Sequence, residues 1–400
     1  MKRRIIKITL MISFVVLVAA VFMSRQYSVT HLEAQIEAAK EEGHIPVVLI
    51  CPLSGSYAYV GEAASWSAGY AVRRINDQGG VNGQMLELIV QNTDSDTAKA
   101  RSAVKKVKGK LLFVIGPVTA PESFAAAEEI ASNEILSIGT YSFDEALEIT
   151  APYGVSYMSN SDLGEWASVR RWAKDNPDIK NVVLFTDSMD TSKAETAKEM
   201  TKRLTELGLK VIEVVDISAD TSDHKYMKCA IQALNMKADG YISLLSAKDY
   251  GNILCELRRR GVDEGRRITG SFSAYTEELI EVAGENLDGT YIWNKFNPEY
   301  DSEEWQALVD AYRRDHNGDT PMSTTVVDIY DSVIAIKDCF ETLKITGEPE
   351  KYDSERQAVA QWFYNSGQIQ GIQGSYRWEN GEKIKDYEYF IFKGTSPENV

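Results

Sequence analysis

From Ile45 onward, short apolar runs alternate with amphipathic stretches. Ile45 to Cys51 reads as a buried strand, and Glu62 to Asn76 as a helix with Trp66, Tyr70 and Ala71 on one face. Gly79, Gly80 and Gly83 end that helix. The spacing then predicts strand Leu86 to Val90, helix Asp96 to Lys108, strand Leu111 to Ile115, helix Pro121 to Ala131 and strand Ile135 to Ile138. After a break at Asn160 to Asp162 the alternation resumes with strand Val182 to Phe185 and a helix bearing Ala194, Ala197, Met200, Leu204 and Leu207. Strand Lys210 to Val215, helix Lys225 to Met236, strand Gly240 to Leu245, helix Tyr250 to Arg260 and strand Arg267 to Gly270 follow. Apolar strands alternating with amphipathic helices favour parallel sheets covered on both faces, so two similar α/β lobes are expected. Beyond Asn294 the period lengthens into helices at Ser302 to His316 and Ser323 to Ile345. A hairpin between Tyr376 and Phe392 closes the pattern, with Asn380 and Gly381 suited to a type I′ turn.

The amino end follows other rules. Lys2, Arg3, Arg4 and Lys7 precede a run from Ile8 to Met23 broken only by Thr9 and Ser13. That is the pattern of an export signal, and the body should lie outside the cytoplasm, in the periplasm or on the outer face of the cytoplasmic membrane. Residues 1–24 are expected to be a signal peptide or a membrane anchor; Val18, Ala19 and Ala20 allow cleavage, and both fates stay open. The string HLEAQIEAAKEEG is helix-prone and polar on most faces, so residues 25–44 read as a helical stalk.

Charge and composition narrow the chemistry. Asp and Glu number 59 against 43 Lys and Arg, a net charge of −16, with no basic stripe carrying interleaved aromatics; a nucleic-acid surface is not expected. Cys51, Cys229, Cys255 and Cys339 are too widely spaced for a metal site, and buried free thiols are the favoured reading over a bridge. The four His residues form no ligand pair, so neither a zinc centre nor a His-based triad has its parts. No glycine-rich phosphate loop and no Gly-x-Ser-x-Gly elbow is present. No catalytic residue, metal or cofactor is assigned.

Ligands of open parallel sheets sit at the carboxyl ends of the strands. In IGPVTAPESFA, Gly116 permits a tight turn, and the amides around Ala120 to Ser123 begin a helix whose positive end suits an anion, with Thr119 adding a hydroxyl. An ordinary capped helix explains the same residues. Thr140, Tyr141 and Ser142 follow the next strand. Later loops offer Asp187 to Thr191, Ser243 to Lys248 and Ser271 to Tyr275; an Asp there, 187 or 190, pairs with a ligand ammonium or merely caps the helix near Ser192.

The residues from Cys51 to Asp96 resemble the opening of the type 1 periplasmic binding proteins of the branched-chain amino acid (leucine/isoleucine/valine) group. Pro52-Leu53-Ser54-Gly55, Gly61, Ile75-Asn76, Gly79-Gly80-Val81-Asn82-Gly83 and Asp94 to Asp96 stand in that group's order and spacing. The likeness continues through Gly116-Pro117, Asp220 to Asp223, Gly270, Leu279 to Gly289 and the hairpin from Gly371 to Gly394, covering roughly residues 45 to 394. It implies two Rossmann-like lobes with parallel central sheets joined by three crossovers, residues 45–159 plus 294–372 and 160–293 plus 373–400. It further implies a monomer that closes by a hinge on a small amino-acid-like or other polar solute, without catalysis, and delivers it to an ABC-type permease. A membrane-tethered sensor presenting its closed form to a receptor is the alternative. Ser54, Tyr57, Tyr59, Val118, Thr119, Ala120, Thr140, Tyr141 and Ser142 are the expected ligand residues of the first lobe, and Asp190, Ser246 and Phe272 those of the second. Several depart from the group. Ala120 replaces a Ser, the expected Thr falls near Ser142 or Phe143, Asp190-Thr191-Ser192 replaces a Tyr-Gly, and Ser246 stands for an aromatic. Phe272 occupies the place of the acid that would hold an α-ammonium, and an unpaired buried ammonium costs several kcal/mol.

Overall fold

The computed structural model describes residues 31–141, 144–321 and 323–399. The expected signal or anchor at 1–24 lies outside them. The chain forms two compact units, one from residues up to Met158 with Thr325–Ile384, the other from Ser159–Thr324 with Lys385–Val400. It therefore passes between units three times, as the resemblance implies.

The first unit begins with helix α1 at 31–41, where a free stalk was expected. Leu32, Ile36 and Ala39 recur at steps of four and three and are fully buried. Leu32 and Ile36 join a core with Val104, Val107 and Leu111. Lys110 Nζ reaches Glu33 at 2.8 Å. The helix is polar on its other faces, but this narrow stripe is enough to dock it. Strand β1 (Ile45–Cys51) follows, buried on both sides, then α2 (Ala58–Asp77), β2 (Leu86–Asn92), α3 (Thr97–Lys106) and β3 (Phe113–Ile115). Helix α4 (Ala120–Asn133), β4 (Leu136–Gly139), α5 (Asp144–Thr150) and β5 (Gly154–Ser156) complete this stretch. The sheet runs β2-β1-β3-β4-β5 with every pair parallel, which brings the loops after β1, β3 and β4 to one edge.

The second unit opens with α6 (Ser161–Asp175), which the sequence pattern did not reveal, and whose Val169 and Trp172 enter a core with Val182, Leu184 and Ile242. Next come β6 (Asn181–Thr186), α7 (Thr191–Arg203), β7 (Lys210–Asp216), α8 (Lys225–Asn235), β8 (Gly240–Ser243), α9 (Ala247–Arg259) and β9 (Ile268–Gly270). Helix α10 (Glu277–Ala283), β10 (Tyr291–Asn294) and α11 (Glu303–Asp315) follow.

Helix α12 (Thr324–Leu343) re-enters the first unit and is buried along most of its length; α13 (Tyr352–Tyr364), β11 (Ile369–Gly371), β12 (Gly374–Glu379) and β13 (Glu382–Ile384) extend it. Asn380 and Gly381 have φ of 51° and 80°, the two positive values a type I′ turn needs. The hairpin is shorter than the sequence suggests, because the chain leaves the unit after Ile384. Strands β14 (Glu388–Lys393) and β15 (Ser396–Asn399) add an antiparallel edge to the second sheet, ordered β15-β14-β10-β9-β8-β6-β7.

Two boundary segments differ from the expectation for physical reasons. Residues 294–324 belong with the second unit: β10 pairs with β9, and the Trp305 ring lies 6.0 Å from Phe296. Residues 373–384 belong with the first, where the Trp378 indole donates to the Ser156 carbonyl at 2.7 Å. All four cysteines are free thiols, Cys51 ending β1 and the others on α8, α9 and α12.

Candidate ligand-binding site

In the first unit the loop after β1 is stitched to the loop after β2. Leu53 N–H donates to Asn92 Oδ1 at 2.8 Å, Ser54 Oγ to Asp94 Oδ1 at 2.5 Å, and Tyr57 N–H to Ser95 Oγ at 3.1 Å. Hydrogen bonds from Lys99 and then Ser54 hold the Asp94 carboxyl below its ordinary range. Gly61 in α2 lets the loop pass, since a Cβ there would stand 1.6 Å from the Pro52 carbonyl oxygen. The result is a rigid shelf. Tyr57 and Tyr59 project from it, 38% and 68% exposed.

The loop after β3 is built just as tightly. Gly116 has φ of 102°, and a Cβ would meet the Ile50 carbonyl oxygen at 2.3 Å, so only glycine fits. Thr119 is the N-cap of α4, but its hydroxyl does not cap; it donates to Glu122 Oε2 at 2.7 Å. Thr93 Oγ1 donates to the other carboxylate oxygen at 2.5 Å. Glu122 is buried, and burial raises its pKa despite these two hydroxyls. Ser123 N–H is taken by the Thr119 carbonyl and Pro121 has none, which leaves the amides of Ala120 and Glu122 as the donors of the first turn. The anion cradle expected from sequence is therefore two amides wide, with Thr119 already committed and a carboxylate built in behind it.

Val118 and Thr140 act as struts. Thr140 Oγ1 donates to the Val118 carbonyl at 2.7 Å, and Thr140 N–H donates to Ser123 Oγ and to the Pro117 carbonyl, each at 3.1 Å. Tyr157 OH reaches the same Val118 carbonyl at 3.2 Å, and burial pushes its phenol up to about 12. Tyr141 is turned inward, 4% exposed, with its hydroxyl on Ser137 Oγ at 2.7 Å. The structure thus places it in the core instead of at the surface of the loop. Ser142 lies outside the described residues.

In the second unit Asp190 precedes α7, accepting from Lys193 N–H at 3.2 Å with the Lys193 ammonium 3.4 Å away. This is helix-capping geometry. Ser246 is the N-cap of α9, and its hydroxyl lies 3.3 Å from Asp249. Asp249 in turn accepts from Tyr226 OH at 2.7 Å. Phe272 joins an aromatic group at the ends of β9 and β10: its ring is 4.9 Å from Trp293, which meets Tyr387 edge-on at 5.2 Å.

Three residues that the sequence did not nominate complete this corner. Lys295 is 2% exposed, donates from Nζ to the Ser159 carbonyl at 2.7 Å, and lies 5.0 Å from the Phe272 ring centre. Glu165, on α6, accepts from the Ser271 hydroxyl and, at 2.9 Å, from the Trp293 indole. Asn294 is buried, and its side-chain nitrogen has no hydrogen-bond partner among the described residues. The acid missing at Phe272 has a neighbour after all: Glu165 reaches Ser271 from another element. Only the pairing of Gly164 with the Trp293 ring, which a Cβ would approach to 2.0 Å, shows why α6 comes so close.

In both units these hydrogen bonds hold the strand-end loops in place. Glu42, His44 and Glu87, whose ligand atoms lie within 4.8 Å of one another, are the group of metal-capable side chains among the described residues. They stand at the opposite, amino-terminal edge of the first sheet and form ordinary His–carboxylate contacts of 3.2 and 3.7 Å.

The comparisons agree with this architecture. Residues 44–393 match the family model described as periplasmic binding protein. The leucine-, isoleucine-, valine-, threonine-, and alanine-binding protein of Pseudomonas aeruginosa is 24% identical over 321 residues, covering 77% of this chain and 80% of that protein. The branched-chain amino acid transporter substrate-binding protein LivJ of Streptococcus pneumoniae, solved with isoleucine, superposes with a TM-score of 0.67 at 21% identity over 89% of this chain and 99% of that one. A solute-binding protein of an ABC transporter from R. palustris, solved with benzoate, gives 0.67 at 17% identity over 90% and 96%. Among the described residues no helix is long and apolar enough to cross a membrane. With two parallel-sheet units, three chain passages and a match spanning nearly all described residues, the chain belongs to the periplasmic binding protein family, in its type 1 branched-chain amino acid group, a family of exported solute-binding proteins and not of enzymes.

Proposed function

We propose that the protein is the extracytoplasmic receptor of an ABC-type importer, holding a small amino-acid-like or other polar solute between its units by hinge closure. The observation that carries this reading is the pair of rigid strand-end faces, one on each unit, on a chain that passes between them three times. On the first unit the Ala120 and Glu122 amides offer donors to a carboxylate, and Tyr57 and Tyr59 supply exposed rings to cover an apolar part. On the second, the partly buried Phe272 ring is backed by the buried Trp293 ring and Lys295 ammonium, with the Glu165 carboxylate on Ser271. A free α-ammonium finds no carboxylate at 272, so solutes of the aromatic-acid kind belong in the test beside leucine. The protein acts as a monomer, and its closed form docks on a permease.

The tethered-sensor reading has one observation in its favour. Leu32 of α1 is already packed into the first unit's core, nine residues after the apolar run ends at Met23, so a retained amino end holds the body at the membrane surface. Isothermal titration against amino acids, small amides, short peptides and aromatic acids tests solute binding; saturable binding with the solute recovered unchanged is expected, and turnover of any member overturns it. Mass spectrometry of the mature amino terminus separates a released receptor from a tethered one.

A further inference from the structure

The first unit contains a second concavity, at the edge of the sheet opposite the strand-end loops. It encloses about 350 Å³, a volume within the range of small-molecule sites. Ile45 and Phe113 mark its floor, where β1 and β3 begin, and Leu112 and Phe340 wall it with apolar surface. Its remaining side comes from the docked α1 and the start of α13, which bring Lys40 and Tyr352 to the rim.

Lys40 gives the cavity its chemistry. Its ammonium sits 4.9 Å from the centre of the Tyr352 ring and forms no ion pair among the described residues. Of the neighbouring charges, Lys110 is held by Glu33 at 2.8 Å and Glu42 and Glu87 are drawn to His44, while Glu37 on the same helix acts on Lys40 itself. Burial lowers the Lys40 pKa, against the opposing pull of Glu37 on its own helix. A half-buried cation at the rim of a chamber that has one apolar side, at Leu112, Phe113 and Phe340, and polar groups from His44, Gln84 and Thr346 on the others is matched by an anion that carries hydrocarbon.

We infer that this cavity is a binding site for a small monocarboxylic acid, with the carboxylate on Lys40 and the hydrocarbon body against Leu112, Phe113 and Phe340. The site is separate from the strand-end loops and does not depend on what they bind. Because α1 supplies the cation, an occupant clamps that helix to the sheet.

Titration calorimetry on the full chain tests this with octanoate, octanol and octylamine as probes. Octanoate should bind saturably, about tenfold or more tighter than octanol, because the charge-assisted contact is absent from the alcohol. Octylamine should not bind measurably. Lys40→Met should weaken octanoate by about tenfold, while Lys40→Arg, which keeps the charge, should hold it within about threefold. Leu112→Trp, which fills the chamber, should abolish binding in a protein whose circular dichroism is unchanged. Equal affinity for the acid and the amine, unaltered octanoate binding in Lys40→Met, or no saturable heat with octanoate would each overturn the assignment.

Discussion

Lys383 lies next to the third chain passage, at Ile384, and is fully buried. Its Nζ is 2.7 Å from Asp328 Oδ1 and 4.0 Å from Asp331 Oδ2, and it stands 4.3 Å from the centre of the Tyr376 ring. Asp328 follows the second passage, at Thr325, so this pair ties two of the three connections together within the first unit. At 2.7 Å and an effective dielectric near 20 the attraction amounts to about 6 kcal/mol, most of it offset by removing both charges from water. Deleting only the cation forfeits the attraction and leaves two carboxylates buried. Lys383→Met should therefore lower stability by about 3–5 kcal/mol. Adding Asp328→Leu should recover at least half of that, since a buried pair replaced by apolar groups is close to neutral. Urea denaturation of the wild type, both single variants and the double variant completes the cycle, with a coupling of about 2 kcal/mol or more expected. Hydrogen exchange along α12 shows whether the loss is local to the first unit. A cost below about 1 kcal/mol for Lys383→Met, or strictly additive single effects, would show that the pair does not hold these connections.

Three other perturbations act on separate parts of the molecule. Ile36→Ala should cost about 2–4 kcal/mol in thermal or urea unfolding, because the side chain is wholly buried under α1; a free stalk would show no change. Asp216 is partly desolvated, yet the hydroxyls and amides of Ser188 and Ser218 bring its pKa down to about 2. Since the unfolded value is about 3.9, that stabilisation is complete above pH ~4 and fades as pH falls toward 2. Asp216→Asn should thus cost about 1–2 kcal/mol at pH 7, allowing for solvent screening, and the gap to wild type should close in acid. Ala120→Pro removes one of the two open amides while Thr119, at φ −121° and ψ 146°, already has the backbone a following proline requires. It should weaken solute binding about tenfold in calorimetry, whereas Ala120→Ser should change it little; equal affinities remove the anion-cradle role.

The fully apolar strands were legible because a buried parallel strand must be continuously hydrophobic, and Val47 to Ile50 or Val182 to Phe185 offer no other reading. Helix α6 was not. Its Gly164 and paired arginines weaken the periodicity, and the glycine makes sense only once Trp293 is seen against it. The docking of α1 was written in Leu32, Ile36 and Ala39, but three residues on a polar helix do not say what they meet. At the strand ends, sequence located the loops and misjudged the directions of some side chains. Thr119 turns to Glu122 and Tyr141 to Ser137, choices made by hydrogen-bond partners distant in sequence. Lys295 was invisible for a similar reason, since burial of a lysine depends on the carbonyl of Ser159 and the ring of Phe272.

The central claim is that the units close on an unreacted solute. Small-angle scattering of the full chain, titrated with the solute that calorimetry identifies and followed by mass recovery of that solute, tests it most directly. A smaller radius of gyration at saturation, reversed on dilution, with the solute returned intact, is expected. An unchanged radius at full occupancy, or a chemically altered solute, would contradict it.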